Sequence, residues 1–244
     1  MRGRLGRYGA WQLRDYVLER GLPIIIVSVL LLFQGIIIVR SMVRGGAAPE
    51  LIRLQALDAL IRATPGIAIV STLLAVNGVI SNDRKNGYFR FLFAKPISLV
   101  AYYAQSYIVN GAGLAVTSVA TLGIFAIVAF PVFPAQLLAF VALTYVAFGG
   151  IGFLLSALTR FDWVAMGAVW LLSQLLRAVY PSDQSWHGRL LDMVLPPLHH
   201  LDNVGLNLLR NQPIEMSNVL WLTGWGIGAF VAGLIVIRLR PLAS

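Results

Sequence analysis

The chain has no cysteine among its 244 residues, which excludes disulfides and thiolate metal sites. It is also poor in charge. Only 12% of residues are charged against 58% hydrophobic, and mean hydropathy is +0.79. A soluble domain carries about 25% charged residues, so too little polar surface remains to clothe a water-exposed globule. Lysine is nearly absent: Lys85 is followed by Asn86 and Lys95 by Pro96. A P-loop needs Gly-Lys-[Ser/Thr], because the lysine must reach the terminal phosphates. The chain therefore lacks a P-loop ATPase of its own. Histidine occurs at 187, 199 and 200. His199 and His200 beside Asp202 suggest a metal site only superficially, since helix neighbours point about 100° apart and no thiolate is at hand. Ser185, His187 and Asp192 are hydrolase residue types without the strand–turn–helix setting of a nucleophile. No catalytic residue, bound metal or resident cofactor is expected.

What the chain does have is uncharged length. The stretches 21–39, 63–82, 96–159, 163–176 and 216–237 carry no Asp, Glu, Lys or Arg. A hydrocarbon core of roughly 30 Å needs about 20 apolar residues as helix, and in lipid the backbone must satisfy itself internally. The run 96–159 is too long for one crossing, and "FPVFPAQ" (130–136) supplies prolines to turn it back. The expectation is an all-α integral membrane protein with six crossings near 22–40, 65–82, 99–130, 135–159, 162–180 and 218–238. The fifth is the shortest, bounded by Asp162 and Arg177. Residues 1–21 read as an amphipathic interfacial helix ahead of a single transmembrane domain, 22–244. Tyr8, Trp11 and Leu18 fall near one face, Leu5 and Tyr16 near a second, with arginines around them.

Net charge is +9 with a sequence pI near 10.5. In a chain this apolar, positive-inside bias and anionic headgroups account for that better than nucleic acid. With six crossings, 1–21, 83–98, 160–162 and 238–244 share a side and hold most of the Lys and Arg. Both termini are then cytoplasmic. The opposite face includes Arg40, Arg44, Arg53 and Arg62 in the first outer loop.

One segment stands apart. "NDRKNGYFRFLFAKPIS" (82–98) packs Asp83, Arg84, Lys85, Arg90 and Lys95 among Tyr88, Phe89, Phe91 and Phe93. Gly87 permits a sharp turn and Pro96 ends whatever helix lies between. On physics alone this is either a docking element or an interfacial anchor. Asp83-Arg84-x-x-Gly87 followed by Phe91-Leu92-Phe93-Ala94-x-Pro96-Ile97-Ser98 resembles the signature of ABC-2 type transporter permeases. In that family an acidic-basic-x-x-Gly turn, a short apolar helix and Pro-[Val/Ile]-Ser lie between the second and third spans. The layout along the chain is similar too, and "LPPLHHLDNVGLNLL" (195–209) looks like the family's re-entrant outer stretch before the last span. Two positions depart: Asp83 stands where the family usually has Glu, and Leu99 where a basic residue commonly follows the serine.

The resemblance implies a permease subunit of an ATP-binding cassette exporter, forming half of the translocation path in a prokaryotic inner (plasma) membrane. Its partners would be a separate cytoplasmic ATPase, which carries the ATP and Mg, and a second permease copy or paralogue. It makes 83–98 the ATPase-coupling loop. Asp83 and Arg84 would make charged contacts, Gly87 the turn, Phe89, Phe91 and Leu92 the apolar contact, and Pro96 and Ser98, with Ile97, the entry into span three. Two other classes fit the residues: an ATPase-independent carrier or channel, and a membrane anchor recruiting a cytoplasmic complex. The expected span interiors contain no acid, which weighs against an ion-coupled carrier. Gln34, Asn77, Gln105, Asn110 and Gln174 are polar residues inside spans, with Arg177 at the outer end of the fifth. They either line a path or bond helix to helix. Gly224, Gly228 and Ala232 form a small-residue row suited to close helix contact, within the chain or with a second copy. Gly149, Gly150 and Gly152, and Gly111 and Gly113, are further clusters.

Overall fold

The computed structural model describes residues 2–80, 83, 98–159, 162–180, 186–195 and 197–239. Among them the elements are helices. α1 (Arg2–Tyr16), a π-helical turn (Val17–Gly21) and α2 (Leu22–Arg44) follow one another without a break. The N-terminal helix is thus continuous with the first apolar one. α3 is Pro49–Val76, α4 Leu99–Val128 and α5 Ala135–Thr144, the last running through a second π-helical turn, Tyr145–Gly149, into α6 (Gly150–Leu158). α7 (Asp162–Val179), α8 (Trp186–Val194), α9 (Leu198–Leu209) and α10 (Met216–Leu239) complete the order.

The sequence explains where these helices stop. α2 ends in a Schellman turn: Ala47 N–H donates to the Met42 carbonyl at 3.1 Å and Gly46 N–H to Val43 at 3.3 Å. Gly46 sits at φ 69°, a left-handed value that glycine adopts without strain. Pro49 then opens α3 at a position whose N–H needs no partner, with Glu50 in the first turn. The helix runs on through Pro65. The outer loop expected over 40–64 is therefore mostly helix, and the span expected to begin at 65 begins sixteen residues earlier. Charged residues such as the i,i+4 pair Asp58 and Arg62 are compatible with helix, and Pro65 removes one backbone donor without ending the helix. α4 does stop at the proline cluster: Phe130–Phe133 is non-helical and Pro134 caps α5. α9 closes like α2, with Asn211 taking the left-handed position at φ 57°.

Among the described residues, five helical stretches are long and apolar enough to cross a membrane: Gly9–Arg44, Pro49–Val76, Leu99–Val128, Ala135–Leu158 and Met216–Leu239. The fifth expected crossing, 162–180, coincides with α7, whose apolar part, Val164–Ser173, is shorter than that requirement. Side-chain placement follows the solvent expected for such helices. Leu30, Phe33, Ile37, Ile127 and Ile227 are exposed, whereas Ser28, Thr64, Thr72, Thr121, Thr144 and Ser156 are buried. Several inward hydroxyls donate to the carbonyl one turn back, as Thr64 does to Leu60 at 2.7 Å and Thr144 to Phe140 at 2.8 Å. That satisfies the polar atom within its own helix.

The chain divides into two compact units. The first comprises Met1–Ala75, Ile108–Tyr145 and Val204–Ile214. Here α4 is gripped through two glycines. A Cβ on Gly113 would lie 2.3 Å from the Tyr16 ring, and one on Gly111 2.8 Å from the Tyr145 ring. Each tyrosine stands at the start of a π-helical turn. Arg20 donates to the Ala75 carbonyl, in the last turn of α3 where carbonyls lack helical partners and a cation is favoured.

The second unit comprises Val76–Tyr107, Val146–Asn203 and Glu215–Ser244. α6 and α10 cross backbone to backbone. A Cβ on Gly150 would lie 2.0 Å from the Gly226 carbonyl oxygen, and one on Gly226 2.2 Å from that of Val146. Lipid tails are as apolar as leucine, so helix contact in a membrane depends on such close approach. Beside this crossing lies a cluster of Val79, Ile80, Tyr102, Tyr103, Phe153, Ala157 and Ile237.

Candidate functional site: the segment between α3 and α4

The charged aromatic stretch joins two membrane-length helices, since α3 ends at Val76 and α4 begins at Leu99. Its two ends are built by local rules. After α3 the chain turns at Gly78, φ 76°. Ile80 is fully buried, and its N–H donates to the Ser156 hydroxyl of α6 at 3.4 Å. At the far end Ser98 stands at the N-cap of α4. Its hydroxyl accepts from Ala101 N–H at 3.4 Å and its carbonyl from Tyr102 N–H at 3.0 Å. Serine is favoured there because the first helical N–H groups lack partners.

Asp83 turns inward. The Tyr103 hydroxyl donates to its Oδ2 at 3.2 Å, a bond across twenty residues that ties the head of the segment to the first turns of α4. Tyr103 itself is fully buried and meets Tyr102 edge to face at 5.2 Å. In the same cluster Tyr107 stacks on Phe230 at 4.4 Å and meets Phe153 edge-on at 5.7 Å, while Phe153 and Phe230 are 4.9 Å apart. The aromatic rings thus connect α4, α6 and α10 within one unit.

Of the residues singled out in sequence, Asp83 and Ser98 belong to this arrangement. Arg84, Gly87, Phe89, Phe91, Leu92 and Pro96 lie outside the described residues. The polar span residues differ in burial. Gln34 and Asn77 are exposed, Gln105 is half-buried and Asn110 is buried at 5%. Gln174 and Arg177 are on α7, with side chains outside the described set. The first unit holds a cavity of about 20 Å³ lined by Leu32, Leu60, Thr64, Ser118, Thr121 and Val141, room for about one water.

The small-residue row is placed differently from its neighbours on α10. Gly224 and Gly228 are exposed, a Cβ on either would meet nothing within 4 Å among the described residues, and Ala232 is half-buried. The glycines that bring α10 onto α6 are Gly226 and Gly233, the latter against Phe153. Among the described residues no three His, Asp or Glu are grouped to hold a metal. His187 lies against Trp186 at 3.9 Å and near Tyr180 at 5.9 Å; Ser185 and the Asp192 and His199 side chains are outside the described set. Sequence reading missed Tyr103, Ser156 and Arg20. A Tyr-Tyr pair four residues after a serine cap was the visible signal for the first.

Apolar helices of membrane length with apolar faces outward and hydroxyls inward make this an all-α, multi-pass membrane protein. Comparison with known proteins returns no matching family model, curated relative or solved structure.

Proposed function

We propose that this chain is the membrane subunit of an ATP-driven exporter of the ABC-2 type, worked by a separate ATPase through residues 83–98. One observation carries the reading. A basic, ring-rich segment with the Asp83-Arg84-x-x-Gly87 and Pro96-Ile97-Ser98 pattern sits between two membrane-length helices in a chain without a P-loop. The hydrogen bond from Tyr103 of α4 to the half-buried Asp83 supports it, because a push on the segment has a rigid element to act on. Six crossings, with α7 as the fifth and 195–209 as a re-entrant outer stretch, put both termini in the cytoplasm. The path is completed by a second copy or a paralogue.

The test is co-purification. Solubilised in mild detergent, the protein brings down a P-loop ATPase of separate sequence, and deletion of 88–93 or Gly87→Pro separates ATP hydrolysis from transport while membrane insertion is retained. Wild-type transport by either variant removes the coupling role. Transport in liposomes with no ATPase bound replaces this reading with an ATPase-independent carrier.

A further inference from the structure

We infer that Tyr103 is a positioning residue for the segment that follows Asp83: its hydroxyl holds the Asp83 carboxylate and so fastens the start of that segment to the aromatic cluster of α4, α6 and α10. This rests on the coupling role proposed above and names the residue through which it acts. The hydroxyl is the polar end of a ring that is otherwise fully buried, and it reaches Asp83 at 3.2 Å. The ring belongs to one buried cluster with Val79, Ile80, Tyr102, Phe153, Ala157 and Ile237. On the Asp83 side the chain is held a second time, three residues earlier, by the Ile80 N–H on Ser156. Among the described residues, Ile80 is thus tied to α6 and Asp83 to α4. A hydrogen bond from a neutral donor to a carboxylate is stronger than one between neutral groups. Displacing Asp83 costs that bond unless Tyr103 follows, and Tyr103 cannot follow without shifting rings packed on α6 and α10.

The experiment uses hydrogen exchange of the 77–83 backbone in the detergent-solubilised full chain, where the bond is read without any ATPase. Tyr103→Phe keeps the ring and removes the donor; exchange over 77–83 is expected to rise about tenfold, the low end for a bond to a charged group. Asp83→Ala raises it similarly, and the double variant no more than either single one, since both remove the same bond. Asp83→Glu, which keeps a carboxylate, stays near wild type. A structural loss at Tyr103 unrelated to Asp83 would instead make the two effects add. Unchanged exchange in Tyr103→Phe, or additive effects, overturns the fastening. The second arm measures ATP hydrolysis per substrate moved by the co-purified complex, expected to rise in Tyr103→Phe. If exchange responds and this ratio does not, the bond stands but its part in coupling is overturned, whereas the coupling role of 83–98 itself falls only if the 88–93 deletion transports like wild type.

Discussion

Replacing Gly226 with alanine adds one methyl group where α10 crosses α6, and the structure sets its cost. The new Cβ would lie 2.2 Å from the Val146 carbonyl oxygen, 2.7 Å from its carbon and 2.8 Å from the Ala147 Cα. These are main-chain atoms, so no rotamer change relieves them. Ordinary carbon contacts begin near 3.5 Å, which leaves a shortfall of about 1 Å that only separation of the helices can supply. Overpacking of this kind costs about 1–3 kcal/mol and occasionally more. Alanine's better helix propensity returns at most about 1 kcal/mol. With unrelieved main-chain clashes the cost lies at the upper end, a net of about 2 kcal/mol. For a chain of this size each kcal/mol moves the melting midpoint by about 2–4 °C, so a fall of roughly 4–8 °C is expected. Thermal unfolding in detergent, followed by the fluorescence of the six tryptophans, measures it. Gly224→Ala and Gly228→Ala are the controls, because an added Cβ there meets nothing within 4 Å among the described residues, and both should melt at or slightly above wild type. A Gly226→Ala protein as stable as the parent, or equal losses in the controls, would refute the assignment of the close crossing.

Phe153→Ala empties the centre of the ring cluster of the second unit, and a loss of about 3–5 kcal/mol is expected from a fully buried phenylalanine, read by the same unfolding assay. Ser156→Ala leaves the buried Ile80 N–H without its acceptor; a loss of about 1 kcal/mol, low in the range for such groups because the bond is 3.4 Å long, should appear with faster exchange of that amide. Arg20→Met keeps the side-chain stem and removes the cation from the last turn of α3, so amides near Ala75 should exchange faster, by an amount matching about 1 kcal/mol. Gly113→Leu forces Tyr16 out of its seat on α4 and should lower the yield of folded protein sharply in size-exclusion chromatography, while Gly123→Leu, where a Cβ meets nothing within 4 Å among the described residues, should not.

Much of this architecture was legible because lipid imposes a simple rule on sequence. A backbone without water must be helical, so uncharged runs of sufficient length announce helices, and the prolines after Val128 mark a return. Boundaries were less legible where that rule does not apply. The first half of α3 carries Arg53, Asp58 and Arg62, with Arg62 and Asp58 paired at 2.8 Å on its exposed side, and so reads as loop to any count of charges. Nothing in the spacing announces that α1 runs through a π-helical turn into α2, since that depends on Tyr16 seating on Gly113.

The amino-acid sequence alone determined the solvent, the helical class and the position of a charged, ring-bearing segment between two apolar helices, because these follow from composition and charge order along one dimension. Which glycines touch was decided only by the tertiary structure. Gly224, Gly226 and Gly228 are equivalent as letters, and the crossing of α10 over α6 selects the middle one. The inward turn of Asp83 was likewise beyond the linear pattern, because its partner lies twenty residues away on another helix and a carboxylate chooses its direction by the donor that packing brings within reach.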